Sequence, residues 1–302
     1  MSGTWWKGLY RLADPRISLA SGASMAVGAA AAAREGPLEW GWLALTVTGI
    51  LAIETAKNAS GELFDFASGV DQAVRPEDRS PFSGGKRVLV EGLLTERETA
   101  AIAASTYAAG ILAGLAIVGF RQPGVLWLGA AGVCLAFFYH APPLRLSYRG
   151  LGEPAVAVVY GPLIAMGTYL VQRGSWSAEV LLLSVPLAIL VGAFLWINEF
   201  PDFAADRSGG KRTLVVRLGR RKAGRVFAAL ILSAYGMVAL LPAFGVPRGA
   251  WMGAIGLPFG IAAARRLLDS PEVTARIVPA QAWTLFSFVA YAGGVSIGML
   301  LF

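Results

Sequence analysis

Two groups of oxygen-bearing side chains in this 302-residue chain have the composition of a metal-binding site. They comprise Asn58, Glu62, Asp65 and Asp71 in the first group, and Asn198, Asp202 and Asp206 in the second. Carboxylate and amide oxygens suit hard cations, and magnesium typically takes one or two carboxylates and completes its shell with water and phosphate oxygens. The seven residues are therefore predicted to hold Mg²⁺ together with a diphosphate. Asp65 and Asp202 are the predicted catalytic residues.

Each acidic group is followed by the same pentapeptide, Ser-Gly-Gly-Lys-Arg, at 83–87 and at 208–212. Basic side chains just beyond an acidic cluster can meet the remaining negative charge of a phosphate group. The predicted diphosphate-binding residues are Lys86, Arg87, Lys211 and Arg212. An identical string after each acidic group argues against coincidence and predicts an internal duplication of four-helix units.

The spacing within each group favours one helical face. Asn58, Glu62 and Asp65 lie four and three residues apart, and the three polar residues of the second group lie at intervals of four. Pro201 interrupts the second segment, so a kink or early unwinding is predicted there. A single Asp in a loop is often only a solvated residue, but a repeated acidic set at a membrane edge indicates function. A cation or proton transporter is the alternative from another class, although it more often places such residues mid-span.

A third segment, 138–153, is aromatic, basic and stiffened by Pro142 and Pro143. It is predicted to close over a bound head group, and its candidate substrate-binding residues are Tyr139, Arg145, Tyr148 and Arg149. An interfacial aromatic belt explains Tyr148 equally well. His140 is the only histidine and is interpreted as a polar residue at a helix end, because one histidine makes no metal site.

The elements that position these residues are predicted to be membrane helices. The chain is 56% hydrophobic and 15% charged, with a mean hydropathy of +0.59, far more apolar than an average soluble domain. Its apolar blocks reach the roughly 20 residues that cross a bilayer core about 30 Å thick. The prediction is a polytopic all-α protein, a single transmembrane domain over 1–302, with nine transmembrane helices at about 17–33, 38–57, 99–119, 123–141, 153–172, 178–200, 222–243, 249–266 and 279–302.

The basic residues predict the orientation of those helices. With nine spans, all but four of the 26 Lys and Arg residues lie on the same side as both acidic groups. The positive-inside rule makes that side cytoplasmic, in the cell membrane of a bacterium or archaeon. The net charge of +7 is spread over membrane-edge loops and no nucleic-acid module is recognisable. Anionic membrane lipid, not nucleic acid, is the expected partner of this charge.

Three segments together resemble the UbiA-type intramembrane prenyltransferases. They are N-A-S-G-E-L-F-D-F-A-S-G-V-D (58–71), Y-H-A-P-P-L-R-L-S-Y-R-G-L-G-E (139–153) and N-E-F-P-D-F-A-A-D-R-S-G-G-K-R-T-L (198–214). The resemblance covers nearly the whole chain, and within the superfamily it is greatest to the 1,4-dihydroxy-2-naphthoate polyprenyltransferases of menaquinone synthesis. One departure is that many relatives have Asn-Asp where this chain has Gly61-Glu62.

The resemblance implies a magnesium-dependent enzyme that joins the prenyl group of a polyprenyl diphosphate to an aromatic acceptor and releases diphosphate. It assigns the metal and diphosphate to the two acidic groups, with Lys211 and Arg212 as phosphate partners. In the first group, Glu62 stands where many relatives have an Asp. The isoprenoid tail would lie in an apolar groove between helices. The acceptor implied is 1,4-dihydroxy-2-naphthoate, and the alternatives within the superfamily are 4-hydroxybenzoate, homogentisate, a tetrapyrrole or a lipid glycerol. Arg145 or Arg149 would hold the acceptor carboxylate.

Overall fold

The computed structural model describes residues 3–302, and every regular element in that range is helical. The α-helices are α1 (Gly3–Ala13), α2 (Ser18–Glu35), α3 (Trp40–Ser68), α4 (Val70–Ala73), α5 (Glu96–Phe120), α6 (Val125–Phe138), α7 (Gly152–Val158), α8 (Ile164–Arg173), α9 (Ala178–Ser208), α10 (Leu214–Leu218), α11 (Arg220–Leu240), α12 (Leu257–Asp269) and α13 (Thr274–Leu301). A π-turn at Val159–Leu163 joins α7 to α8, and a 3₁₀ segment at Arg248–Gly256 leads into α12.

All nine apolar segments predicted from the sequence fall on helical segments of the structure. Within residues 3–302, five helices are long and apolar enough to cross a membrane by length and composition: Glu96–Phe120, Gly152–Arg173, Ala178–Ser208, Arg220–Phe244 and Thr274–Leu301. The all-α membrane architecture is therefore confirmed. The count of nine spans and the duplication of four-helix units stay predictions.

Helix α9 lies at the centre of the bundle. The apolar window of α9 is 72% buried inside the protein, whereas that of α5 is only 28% buried. Large side chains of α9 such as Leu187, Ile197 and Phe200 are fully enclosed and pack in one core with α2, α11, α12 and α13. The apolar surface of α9 is therefore used for packing against other helices, while much of α5 is free to face lipid.

Local sequence signals explain where the site-bearing segments begin and end. Helix α3 ends at Gly69, which adopts a left-handed conformation (φ 79°) and donates its backbone N–H to Phe66 O. Helix α5 begins at Thr95, which forms a capping box with Glu98. Helix α9 continues through Pro201 to Ser208, so the early unwinding predicted at this proline does not occur. The second acidic group therefore stays on one helix.

The 3₁₀ segment and α13 cross at the closest backbone approach in the core. A Cβ atom added at Gly249 or at Gly298 would overlap the backbone of the other glycine. Both residues are buried, and Val295 packs beside them against Gly253. This crossing holds the C-terminal helix against the rest of the bundle.

We expect Gly298→Ala to destabilise the protein by about 1–3 kcal/mol, because its methyl group has no space at this crossing. Gly293→Ala on the same helix is the matched control, since a Cβ there meets nothing within 4 Å. Replacing an unconstrained helical glycine by alanine should be neutral or stabilising by about 0.5–1 kcal/mol. Thermal unfolding of both variants in detergent, followed by size-exclusion fluorescence, measures the difference. Equal melting temperatures would show that the crossing is not tight.

Candidate active site

A polar cavity of about 490 Å³ lies between the C-terminal parts of α3 and α9 and the loops that follow them. The sequence-predicted site residues that line it are Asn58, Glu62, Asp65, Asp71, Lys86, Arg87, Tyr139, Asn198, Asp202, Asp206 and Lys211. The structure therefore brings both acidic groups and three of the four pentapeptide cations into one space.

Four of the sequence-predicted substrate-binding residues do not line this cavity: Arg145, Tyr148, Arg149 and Arg212. Arg212 is exposed, and its backbone N–H donates to Tyr148 O. Arg149 is also exposed and donates through Nη2 to Pro143 O at 2.9 Å. Arg145 lies with its guanidinium 5.1 Å from the centre of the Tyr148 ring. Tyr148 nevertheless contacts the site, because its hydroxyl donates a hydrogen bond to Asp65.

Asp65 is the best-connected carboxylate of the cavity. Its Oδ1 accepts a 2.8 Å hydrogen bond from Tyr148 Oη, and its Oδ2 lies 2.9 Å from Lys211 Nζ. Lys211 also lies 4.0 Å from Asp206 Oδ1 and 5.2 Å from the Tyr148 ring centre. One ammonium group therefore joins the first acidic group on α3 to the second on α9.

Burial changes the charge balance of the groups outside the helical spans. Burial disfavours the charged form of Lys211, but the Asp65 and Asp206 carboxylates outweigh it and raise the pKa of Lys211 well above its usual value. Burial, with the nearby Asp65 and Glu62 carboxylates, raises the pKa of Asp71 to about 8. Neighbouring carboxylates thus repel one another in the cavity, and added positive charge beside them would relieve the repulsion.

Four carboxylate oxygens of residues that line the cavity are buried and have no hydrogen-bond partner: Asp14 Oδ1, Glu62 Oε2, Glu199 Oε2 and Asp202 Oδ1. Glu62 and Asp202 belong to the predicted ligand set. The other Glu62 oxygen accepts a 2.8 Å hydrogen bond from the backbone N–H of Leu89. Unpartnered buried carboxylate oxygens are costly, and they are the donors that a hard divalent cation prefers. No three His, Cys, Asp or Glu side chains between residues 3 and 302 are grouped closely enough to hold a metal alone. The donor set therefore fits a cation whose shell is completed by other oxygens.

The two asparagines of the acidic groups are held differently. Asn58 donates through Nδ2 to Leu12 O at 2.8 Å, which leaves the amide oxygen as its ligand atom. Asn198 Oδ1 accepts a 3.0 Å hydrogen bond from Gln281 Nε2 on α13. Each amide is thereby oriented by a residue outside the acidic groups.

The glycines of the first pentapeptide allow the backbone to approach both acidic groups. Gly84 and Gly85 have φ values of 90° and 72°, which favour glycine. A Cβ at Gly85 would lie 2.7 Å from Asp71 Cγ, and a Cβ at Gly84 would lie 4.0 Å from Asp202 Oδ1. Of the second pentapeptide, only Lys211 lines the cavity. The two identical strings therefore occupy different surroundings.

His140 explains why this chain has Gly61 where many relatives have an asparagine. A Cβ at Gly61 would lie 2.6 Å from His140 Cε1, so the imidazole ring packs against α3 only because residue 61 has no side chain. His140 Nε2 lies 3.7 Å from Asp65 Oδ2. Burial nevertheless lowers the pKa of His140 to about 3, so the ring is neutral. The histidine that sequence reasoning set aside is thus part of the Asp65 surroundings.

An apolar groove of about 470 Å³ adjoins the polar cavity. Its walls come from α3, α5, α6 and the α7–α8 segment, and they are almost entirely aliphatic. Four residues line both spaces: Lys57, Tyr139, Val156 and Tyr160. We call these four residues the junction. A charged space and an apolar space therefore meet at a shared boundary.

Sequence reasoning missed several charged residues of the cavity: Arg11, Asp14, Arg16, Lys57 and Arg79. Arg11 and Arg16 precede the first predicted membrane segment and are not among the predicted site residues. Asp14 forms an ion pair with Lys86. Lys57 directly precedes Asn58, and that adjacency was the one available signal for it.

Comparison with known proteins places these observations in a family. Residues 22–288 match the sequence profile of the UbiA prenyltransferase family. The 1,4-dihydroxy-2-naphthoate octaprenyltransferase of Escherichia coli (strain K12) is 29% identical over 90% of this chain and 79% of its own length. The enzyme of the same name from Bacillus subtilis (strain 168) is 28% identical over 61% of this chain and 57% of its own length. The match thus spans little more than half of that Bacillus relative.

Two solved structures have the same fold. A UbiA homologue from Aeropyrum pernix K1, solved in its apo form, superposes with a TM-score of 0.72 at 20% identity, covering 94% of this chain and 99% of the other. A UbiA homologue from Archaeoglobus fulgidus, bound to GPP and Mg²⁺, superposes with a TM-score of 0.65 at 14% identity, covering 96% and 99%. With the family match over most of the sequence, the all-helical bundle and its paired acidic groups identify the chain as a member of the UbiA prenyltransferase family.

Proposed function

We propose that this protein transfers a polyprenyl group from a polyprenyl diphosphate to an aromatic acceptor. The observation that carries the proposal is the adjacency of the acidic polar cavity and the apolar groove across the junction. A prenyl diphosphate has the same two-part character, a highly charged head joined to a hydrocarbon tail. The head suits the cavity, and the tail suits the groove.

Magnesium is the proposed cofactor. The Archaeoglobus homologue of the same fold binds GPP and Mg²⁺, and the unpartnered oxygens of Glu62 and Asp202 are the donors that such a cation prefers. The residues that would hold it are Asn58, Glu62, Asp65, Asp71, Asn198, Asp202 and Asp206. Bound magnesium would neutralise charge on the diphosphate.

The cations of this chain would stabilise the leaving group. When the bond between the prenyl carbon and the diphosphate oxygen breaks, its electron pair stays with the diphosphate. Lys86, Arg87 and Lys211 line the cavity where that charge would grow, and groups already in position avoid the cost of reorganisation. The ring carbon of the acceptor then bonds to the allylic carbon, and the ring regains its aromaticity by losing a proton or by losing its carboxylate group as CO2.

The proposed acceptor is 1,4-dihydroxy-2-naphthoate, which places the reaction in menaquinone synthesis. Both relatives described above carry that activity in their names, and their identities of 28–29% support the acceptor class without excluding 4-hydroxybenzoate, homogentisate, a tetrapyrrole or a lipid glycerol. We further propose one domain over residues 1–302, in a bacterial or archaeal cell membrane, with the cavity facing the cytoplasm.

Product analysis tests the proposal directly. Purified protein with Mg²⁺, a panel of aromatic acceptors and prenyl diphosphates of several lengths should yield a prenylated naphthoate-derived product by mass spectrometry. Chelation of the metal should abolish the product. Absence of product with every acceptor, together with substrate-independent cation flux in liposomes, would favour a transporter instead.

Asp202→Asn should lower turnover by about 100-fold or more while leaving the fold intact, because Asp202 Oδ1 has no protein partner to lose. Asp65→Ala should have a similar effect on turnover, but it also strips the buried Lys211 of its closest carboxylate. Asp269→Ala, at an exposed position on α12, is the control for loss of a carboxylate. Turnover rates and melting temperatures of all three variants separate catalysis from folding. Near-normal turnover of Asp202→Asn would rule out its proposed role.

The structure separates two adjacent cations that the sequence treats alike. Lys211→Gln should raise the KM for prenyl diphosphate about tenfold or more, since a charged hydrogen bond contributes about 1.5–3 kcal/mol. Arg212→Gln should have a much smaller effect, because that side chain is exposed and does not line the cavity. Steady-state kinetics with the prenyl diphosphate varied distinguish them. Equal KM increases would show that the cavity rearranges to include Arg212.

A further inference from the structure

The junction is the place where the acceptor must meet the prenyl group. If the proposed function holds, the diphosphate lies in the polar cavity and the tail lies in the apolar groove. The carbon that joins them must then lie beside the residues shared by the two spaces. The attacking ring has to reach the same point, so polar groups at the junction are candidates for acceptor recognition.

Lys57 is the cation of the junction. Its Nζ lies 5.3 Å from the centre of the Tyr139 ring, and no carboxylate among residues 3–302 comes within 4.0 Å of it. Three other cations of the cavity, Lys86, Arg87 and Lys211, each have an acidic side chain within 4.0 Å. An ammonium group beside an apolar groove is costly without an anion. Lys57 therefore has no ion pair among residues 3–302, and the Glu54 and Asp14 carboxylates act on its charge only from beyond 4.0 Å.

Glu54 lies three residues before Lys57 on α3, so the two side chains share one face of that helix. It is buried and lines the apolar groove. Its Oε2 accepts a 3.0 Å hydrogen bond from Ser21 Oγ, whereas its Oε1 is buried without a hydrogen-bond partner. The hydroxyl of Tyr160, a junction residue, interacts with the same carboxylate. Glu54 and Lys57 do not form an ion pair with each other. One acceptor atom without a hydrogen-bond partner and one cation without an ion pair therefore lie about one helical turn apart on the wall of the groove.

We propose that Lys57 and Glu54 recognise a hydroxylated aromatic carboxylic acid at the junction. The Lys57 ammonium binds the carboxylate of the acceptor, and Glu54 Oε1 accepts a hydrogen bond from a ring hydroxyl. The Tyr139 ring, against Lys57, forms one wall for the acceptor. Arg145 and Arg149, which were expected from the sequence to bind the acceptor carboxylate, line neither the polar cavity nor the apolar groove. This two-point recognition rests on the proposed function and names the acceptor class that the site selects.

Matched aromatic probes test the role of Lys57 by isothermal titration calorimetry on the purified full-length protein. The wild type should bind 1-hydroxy-2-naphthoate about tenfold or more tightly than 1-naphthol, which lacks the carboxylate. Lys57→Gln should abolish that preference while leaving 1-naphthol binding nearly unchanged. Lys222→Gln, which removes an exposed lysine on α11, should keep the preference.

Glu54 is tested with a probe that lacks the hydroxyl. The wild type should prefer 1-hydroxy-2-naphthoate to 2-naphthoate, and Glu54→Leu should remove that preference without weakening 2-naphthoate. A hydroxyl preference that survives in Glu54→Leu would overturn its assignment. Melting temperatures of the variants show whether each remains folded.

Three outcomes would overturn the role of Lys57: a wild type without carboxylate preference, a Lys57→Gln variant that retains it, or a Lys57→Gln variant that loses affinity for geranyl diphosphate instead. The last result would assign Lys57 to the diphosphate. Because these readouts are binding constants, they do not depend on turnover. A carboxylate preference at Lys57 without any prenylated product would support the acceptor site and refute the proposed transfer reaction.

Discussion

The ion pair between Lys211 and Asp65 is the contact on which the polar cavity depends. Both groups are removed from bulk water, and a buried charge is tolerated only when an opposite charge or hydrogen bonds compensate it. The 2.9 Å contact connects the loop after α9 to α3, and Tyr148 completes the Asp65 surroundings from a third segment. Three segments that are distant in sequence are thereby held around one carboxylate. The cavity is left with both acidic and basic side chains, the two kinds of partner that a divalent cation and a diphosphate require.

A second constraint on the ligand is that the polar cavity and the apolar groove adjoin each other. The cavity and the groove share four lining residues, so a ligand that fills both must change character at the junction. A bundle with a buried central helix can provide this arrangement, because α9 carries apolar packing along most of its length. Apart from Glu179 in its first turn, the acidic residues of α9 lie near its C-terminal end. The same helix therefore stabilises the fold and contributes ligands. Lys57 and Glu54 lie on α3, five and eight residues before Glu62.

The two Ser-Gly-Gly-Lys-Arg pentapeptides have the same sequence but make different contacts. In the first, Gly84 and Gly85 bring the backbone against Asp202 and Asp71, and Lys86 pairs with Asp14. In the second, the lysine enters the cavity while the arginine turns to solvent. If the chain arose by duplication, the copies have diverged through their neighbours more than through their own residues. The neutral His140, packed in the space left by Gly61, is a comparable case of one residue changing the surroundings of another.

Much of this protein follows from the sequence alone. The length and spacing of the apolar blocks predict the helical segments, because a membrane-spanning helix must be long and continuously apolar. The intervals between Asn58, Glu62 and Asp65 predict a shared face, since helical periodicity is a local property. Sequence could not show that Arg212 is exposed beside the inward-facing Lys211, or that Arg11 of α1 reaches the cavity. Only the tertiary structure decided these points, because the direction of a loop side chain and the compensation of a buried charge depend on contacts between segments far apart in the chain.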